Sequence, residues 1–410
     1  MKLLPVNSAI ERILKSFHTL EKTHIFLDKS VGRVLAEDIC AKTDLPLFDN
    51  SSMDGFALRA ADVHSACETT PSILPVVDDI PAGKMPVKHL RAGEAARIMT
   101  GAPLPKGADA VVPVEETDFN NRTPGSAPPQ NVKIFKTARL GANIRKRGDD
   151  IKRGQSILPR GQRLRAQDLG MLAMLGIAQV PVYRKPRVAL LSSGDELTPI
   201  GESLVEGKIY DTNSYTLRAQ LESAGCEIIP LGVAKDTPKS VRNALNKAQN
   251  ADLILSSAGV SMGSFDFIKA IIEEDGNLNF WRTNMRPGKP LTFGNYQGIP
   301  FIGLAGNPVS AFVGFMVFVQ PVIQQMLGCG TQAQKRVRVR LSDSIKSDGR
   351  ESYLRALVHP EDGQFYAKLT GHQGSGNLFS MVQANALLII PAGVKSLKKG
   401  AEVEAWLLDT

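Results

Sequence analysis

Between Pro186 and Gly328 short apolar runs alternate with helix-like segments, and this alternation constrains the fold more than any other feature of the chain. Strand candidates lie at Val188–Leu191, Glu227–Leu231, Leu253–Ser256, Asn279–Trp281 and Pro300–Leu304. The segments between them carry helix-end signals. Asn213 precedes Tyr215–Ala224 and Gly225 stops it; Thr237-Pro238 sets a cap before a proline at the first helical position. Asp266 opens Phe267–Glu274, which Gly276 ends, and Asn307-Pro308 opens Val309–Leu327, which Gly328 ends. Strands and helices alternating at this spacing predict a doubly wound parallel sheet with helices on both faces.

The flanks read differently. Residues 8–21 place Ile10, Ile13, Leu14, Phe17 and Leu20 on one face, an amphipathic helix. From there to about residue 185 the chain is rich in Gly, Pro and short β-like runs (Ala108–Val114, Val132–Phe135, Ser156–Leu158), with a helix over Arg165–Leu175. The polar, Pro-rich stretch Asn120–Gln130 reads as an exposed loop. After Gly330, Val337-Arg-Val-Arg-Leu341 alternates, and four further β runs follow, which predicts a small all-β barrel or sandwich. The expected organisation is a mixed or mostly β N-terminal region divisible into two lobes (1–185), a doubly wound domain (186–329) and a C-terminal β domain (330–410).

The formal net charge of +8 favours anionic partners. No basic tract interleaved with aromatics appears and only 6% of residues are aromatic, so small or phosphorylated anions are favoured over nucleic acid. Cys40, Cys67, Cys226 and Cys329 are far apart and form no CxxC pair, which predicts reduced thiols in a cytoplasmic protein rather than a zinc site or disulfide framework. The apolar start is broken by Pro5 and reads as no signal peptide. Val309–Val319 falls short of the ~20 residues of a membrane span and reads as a buried helix, so no membrane partner is expected.

In open α/β sheets, ligands sit beyond the carboxyl ends of the strands. Those ends carry Ser192-Ser193-Gly194-Asp195-Glu196, Lys235-Asp236, the stretch SAGVSMGSFD (257–266) with Gly259, Ser261, Gly263 and Asp266, and Ala305-Gly-Asn307-Pro308-Val-Ser310; Asp211-Thr-Asn213 leads into the first helix. Glycines and serines let backbone N–H groups approach phosphate oxygens, and helix N-termini add partial positive charge. Carboxylates beside a phosphate repel it unless a cation lies between, and Mg²⁺ suits carboxylate, water and phosphate oxygens. Read singly, Asp266 and Asn307 are N-caps, the glycines shape turns, and Asp211 and Asp236 are solvated loop acids. Their recurrence at successive strand ends supports the functional reading. Neither GxGxxG after a strand nor GxxxxGK[ST] is present. Arg286-Pro-Gly-Lys289-Pro290 offers two cations on a stiff loop, suited to a small oxyanion, or alternatively forms a plain hairpin turn with exposed basic residues. In the N-terminal half, Asp49–Gly55 contains Asp54, Arg97–Pro103 sets Thr100 on a Gly/Pro turn, and Arg145–Asp150 pairs a basic run with acids; alone, each reads as a turn or solvated face.

The ensemble resembles the molybdopterin molybdenumtransferases, the MoeA and gephyrin E-domain family. The resemblance is carried by GRVLAEDI (32–39), DLPLFDNSSMDGFA (44–57), RIMTGAPLPKGADAVV (97–112), ANIRKRGDDI (142–151), SSGDEL (192–197), IYDTN (209–213), SAGVSMGSFD, RPGKP (286–290), AGNPVSA (305–311), HQGSGNLFS (372–380) and ANALLIIP (384–391). It implies a doubly wound molybdopterin-binding domain, β-containing N-terminal lobes and a small C-terminal β-barrel, assembled as a homodimer. The implied reaction inserts molybdenum from molybdate into adenylyl-molybdopterin and releases AMP, with Mg²⁺ and with a molybdopterin adenylyltransferase as a partner. By motif matching, the family's functional residues fall on Asp54, Thr100, Asp150, Glu196, Asp236 and Asp266. Glu196 and Asp266 are expected to hold the metal. Ser193, Gly194, Asp195, Gly259, Ser261, Gly263, Arg286, Lys289, Asn307, Pro308 and Ser310 are expected to bind substrate. The resemblance also implies that one subunit's N-terminal lobe brings Asp54, Thr100 and Asp150 to the other's sheet.

Two departures stand out: Ala258-Gly259 where the family often has paired glycines, and Ala305 where it often has proline. Neither removes a charged group. A scaffold role, a tungstate-using relative and a phosphoanhydride hydrolase are the competing readings; oxyanion-dependent AMP release separates them.

Overall fold

The computed structural model describes residues 3–119, 126–258, 262–330 and 335–408. The chain divides into two compact units: Asp38–Pro159 with Met174–Gly176, and Met1–Glu37 with Arg160–Ala173 and Ile177–Thr410.

The first unit is built on strands β1 (Gly55–Leu58), β2 (Ser72–Ile80), β3 (Ala95–Ile98), β4 (Ala110–Pro113) and β5 (Asn131–Ile134), in the order β4-β1-β3-β2-β5. Both faces of this sheet are covered. Phe56, Leu58, Val112, Val132 and Ile134 pack on one side, and Ala57, Ile80, Ala96, Ile98 and Val111 on the other. That is why β1 reads as an unbroken small and apolar run rather than an alternation. Gly55 must be glycine, because a Cβ there would lie 2.0 Å from the Val112 carbonyl oxygen. Of the Asn120–Gln130 loop, residues 120–125 lie outside the described residues.

The second unit contains α1 (Val6–Leu14), α2 (Ala166–Met174) and a six-stranded sheet of β6 (Arg187–Ser193), β7 (Glu227–Ala234), β8 (Leu253–Ala258), β9 (Gly276–Arg282), β10 (Pro290–Tyr296) and β11 (Ile299–Ala305). The strand order is β7-β6-β8-β11-β10-β9. Helices α3 (Asn213–Ala224), α4 (Pro238–Leu245), α5 (Met262–Asp275) and α6 (Pro308–Met326) flank it. Period-two burial divides the strands between two cores. Val188, Leu190, Leu253, Leu255, Ile302 and Leu304 join α1, α3 and α6 residues on one face. Ala189, Leu191, Ile254 and Phe301 join α4 and α5 residues on the other, including Val241, Ile268 and Ile272. The doubly wound arrangement follows directly from that alternation.

The sheet is mixed rather than wholly parallel. β7, β6, β8 and β11 are parallel; β10 runs antiparallel to β11, and β9, antiparallel to β10, forms that edge. Strand β10 was hidden in the sequence because it begins at Pro290, behind the RPGK turn, and is interrupted by Gly294. Helix α1 covers 6–14, not 8–21. Its C-terminal end is closed from a distance, where Gln325 Nε2 donates to the carbonyls of Leu14 (2.9 Å) and Phe17. Helix α5 starts at Met262, so Asp266 lies inside it and not at its N-cap; burial of Ile268, Ile271 and Ile272 outweighs the weak helix propensity of the Gly263-Ser264 pair. Helix α6 contains a π turn at Phe315–Val319, wholly buried, and most of the helix sits in the core.

The last part of this unit is a closed barrel of β12 (Arg336–Leu341), β13 (Glu351–Glu361), β14 (Gln364–Leu369), β15 (Ala386–Ile390) and β16 (Glu402–Leu407). Closure comes from the β13–β15 pairing in the cycle β13-β14-β12-β16-β15. The two-residue strand Met285–Arg286, inside the β9–β10 connection, pairs parallel with β13 at Glu351 and Ser352.

Candidate active site

At the carboxyl ends of β6 and β7, Asp195 and Asp236 exchange hydrogen bonds. The Asp195 amide donates to Asp236 Oδ2 at 3.4 Å, and the Asp236 amide donates to Asp195 Oδ1 at 3.2 Å. Burial pushes the Asp236 carboxyl above the usual range, and the negative charges of Asp195 and Glu196 add to that. Its Oδ1 is buried without a partner, as is Ser193 Oγ at the end of β6. Glu196 folds back over Gly194, where a Cβ would come within 2.6 Å of Glu196 Oε2. A cluster of hard oxygen donors with an orphaned buried carboxylate oxygen fits a Mg²⁺ ion that keeps most of its waters. Among the described residues, no three acids, histidines or cysteines converge closely enough to enclose a metal on their own.

The third strand end lies largely beyond view. Gly259 and Ser261 are outside the described residues, as is the side chain of Asp266. Asp211 is not a solvated loop acid. It is 4% exposed and caps α3, accepting from the Ser214 amide at 3.1 Å and Ser214 Oγ at 2.5 Å. Asn213 Nδ2 donates to the Gly306 carbonyl at 2.6 Å, tying α3 to the Ala305–Ser310 turn.

The RPGKP stretch is the connection of the β9–β10 antiparallel pair and also one wall of a cavity of about 300 Å³. Arg286 and Lys289 line it from this side, and Asn307 and Ser310 line it from the start of α6. Asn307 occupies the N-cap position with Pro308 at the first helical position, but its side chain makes no cap hydrogen bond and is exposed to the cavity mouth. The opposite wall was not anticipated: Arg350, Gln373, Gly374 and Ser375 reach it from the barrel. The Val309 amide donates to the Ser375 carbonyl at 3.0 Å, which fixes this loop against α6. Arg350 is aimed by the Met285 carbonyl (3.1 Å) and by Asp348, whose carboxyl it holds below the usual range. Three cations converge here, and Asp348, 3.9 Å from Arg286, is the acid among them. Such a site suits a small oxyanion.

Three further candidates belong to the first unit. Asp54 Oδ1 accepts from both the Thr100 amide and Thr100 Oγ1, each at 2.7 Å, so two of the expected residues form one exposed group. Asp150 is bonded instead to Arg145, in a ladder with Lys146–Asp49 (2.8 Å) and Arg147–Asp44 (2.7 Å). The ladder is the solvated charged face that the run suggested on its own.

Sequence families match nearly all of this framework. The MoeA N-terminal region (domain I and II) matches residues 4–176, the "Probable molybdopterin binding domain" matches 189–325, and the MoeA C-terminal region (domain IV) matches 338–408. The chain belongs to the MoeA family. It is 39% identical over 381 residues to a molybdopterin molybdenumtransferase of Nostoc sp., covering 91% of this chain and 85% of that one. It is 35% identical over 398 residues to one from Haemophilus influenzae, covering 95% and 94%. The crystal structure of a molybdopterin biosynthesis MoeA protein from Pyrococcus horikoshii OT3 superimposes with a TM-score of 0.80 at 33% identity, over 99% of this chain and all of that one. Membership of the MoeA family places the chain among transferases of molybdenum cofactor biosynthesis.

Proposed function

We propose that this protein inserts molybdenum from molybdate into adenylyl-molybdopterin and releases AMP. The observation that carries the reading is the cavity where Arg286, Lys289 and Arg350 converge beside the N-terminus of α6. A tetrahedral dianion is matched there by cations, by the Ser310 and Ser375 segments, and by the partial positive charge of a helix N-terminus. The phosphate-bearing substrate then lies across the strand ends, with Ser193, Gly194 and Asp195 facing it, and Gly259, Ser261 and Gly263 are proposed as further substrate-binding residues. Glu196 and Asp266 would hold Mg²⁺, which supplies charge neutralisation of the phosphates when bound. Asp236 is the acid best placed to share that load, because it sits partly buried beside Asp195 and Glu196, and burial first and their negative charges second raise its affinity for a proton. Attack of a molybdate oxygen on the pterin-side phosphorus would break the anhydride bond with AMP as leaving group and leave a molybdate–phosphate anhydride, from which the dithiolene sulfurs displace the phosphate oxygen at molybdenum, so no protein nucleophile is required.

We further propose that the protein works as a homodimer, with Asp54, Thr100 and Asp150 of one subunit completing the strand-end site of the other, and that it receives substrate from a molybdopterin adenylyltransferase. Four free cysteines, two of them exposed, suit the reducing cytoplasm. The test is AMP release from adenylyl-molybdopterin with molybdate, tungstate or no oxyanion, each with and without Mg²⁺. Oxyanion- and Mg²⁺-dependent release supports the reading; release that ignores both contradicts it. Comparing the molybdate and tungstate arms gives the metal preference.

A further inference from the structure

Behind the cavity wall formed by Gln373, Gly374 and Ser375 lies Arg355, on β13, with no solvent exposure at all. It is the largest fully buried side chain among the described residues. Its Nε donates to Ser380 Oγ at 2.9 Å, and its Nη2 donates to the carbonyls of Gly374 at 2.9 Å and His372 at 3.3 Å. The backbone of Arg355 is clamped to the same loop, since its amide donates to Gln373 Oε1 at 2.9 Å and its carbonyl accepts from Gln373 Nε2 at 3.1 Å. Its remaining nitrogen, Nη1, is buried with no hydrogen-bond partner. Among the described residues no carboxylate pairs with it. Burial, with the like charge of Arg286 of the cavity adding to it, lowers its pKa to about 10.

A buried guanidinium is normally retained beside an acid, because desolvation of an unpaired charge is costly and neutral acceptors offset only part of it. Here every named acceptor is neutral. A fully apolar side chain would fill the same space at lower electrostatic cost, so the charge calls for a counter-charge that arrives from outside the fold.

We propose that Arg355 is a positioning residue of the oxyanion cavity: it holds the 372–375 loop against the RPGKP wall and sets a second tier of positive charge behind the bound dianion. This rests on the oxyanion reading of the cavity. In a water-poor pocket, fixed charge just behind the first contacts strengthens anion binding without reorganisation.

The test uses the full-length protein and molybdate alone as the calorimetric probe, with KM and kcat for AMP release measured in parallel. Arg355→Met raises the molybdate Kd and the molybdate KM by about tenfold or more, and leaves the Kd for adenylyl-molybdopterin within about twofold. Arg355→Lys keeps the charge while losing the fork, and holds molybdate within about threefold of wild type. Ser380→Ala removes one loop contact but no charge, and binds molybdate like wild type. Equal loss in the Lys and Met variants reduces the role to packing and overturns the inference, as does wild-type molybdate affinity in Arg355→Met. Should Arg355→Met not fold, Arg355→Gln takes its place: a loss of molybdate affinity of about tenfold with Arg355→Lys near wild type supports the inference, and wild-type affinity in Arg355→Gln overturns it. Lys289→Met separates the two levels. If it leaves molybdate binding intact, the cavity is not the oxyanion site. If it weakens binding while the Arg355 variants do not, only the present inference fails.

Discussion

Asp236 shows how a single side chain links chemistry to stability. Its folded pKa is raised, so the folded state holds its proton more tightly than the unfolded chain. Stability from this group is therefore present below the unfolded value near 3.8 and is lost as pH rises through the folded value. Asp236→Asn should raise the melting temperature of the ligand-free protein slightly at neutral pH, with the gain vanishing below about pH 4, while AMP release collapses. A variant less stable than wild type at pH 7 would contradict this. Gly194→Ala should fail for a different reason. The new Cβ would displace Glu196, so Mg²⁺-dependent activity should fall by more than about tenfold with the cooperative unfolding transition retained. Wild-type Mg²⁺ dependence in that variant would remove Glu196 from the site.

Individual elements were legible where the local signals and the tertiary environment agreed. The alternation in β6, β8 and β11 is read equally by sequence and by the two cores, and Thr237-Pro238 caps α4 as its residue types demand, with the Thr237 side chain accepting from the Ser240 amide. Legibility failed where a distant partner decides. No residue type marks the end of α1 at Leu14, whose carbonyl is also taken up by Gln325, more than three hundred residues away. The RPGKP loop could be found as a site because two cations on a Pro/Gly turn are unusual by themselves. The facing wall could not: Arg350 is brought to it by the pairing of Met285–Arg286 with β13, Ser375 by its carbonyl's bond to the Val309 amide, and Arg355 bonds backbone carbonyls that carry no residue signature. Ile13, fully buried under α6, offers the stability test at this scale. Ile13→Ala should cost about 2–5 kcal/mol, measured as a lower urea midpoint at unchanged m-value. A loss under about 0.5 kcal/mol would show that α1 is not part of the cooperative core.

At the scale of the whole molecule, the candidate residues fall into two sets in two units: Asp54 with Thr100, and the strand-end loops with their cavity. The homodimer proposed above joins them across subunits, and mixed dimers can test that. Co-expressed Asp54→Asn and Glu196→Gln chains are each inactive alone. Random pairing of equal amounts makes half the dimers mixed, each with one intact composite site, so about a quarter of wild-type activity should return. No recovery would mean that each site is drawn from one chain. The central claim, that the cationic cavity receives the oxyanion whose arrival triggers loss of AMP, is tested most directly by following AMP release from adenylyl-molybdopterin as molybdate is titrated into wild-type and Lys289→Met protein. The account predicts saturable, molybdate-dependent release in the wild type, and in the variant a molybdate KM raised by about tenfold or more with adenylyl-molybdopterin binding unchanged. Release at the same rate without molybdate, or identical titrations for the two proteins, would contradict it.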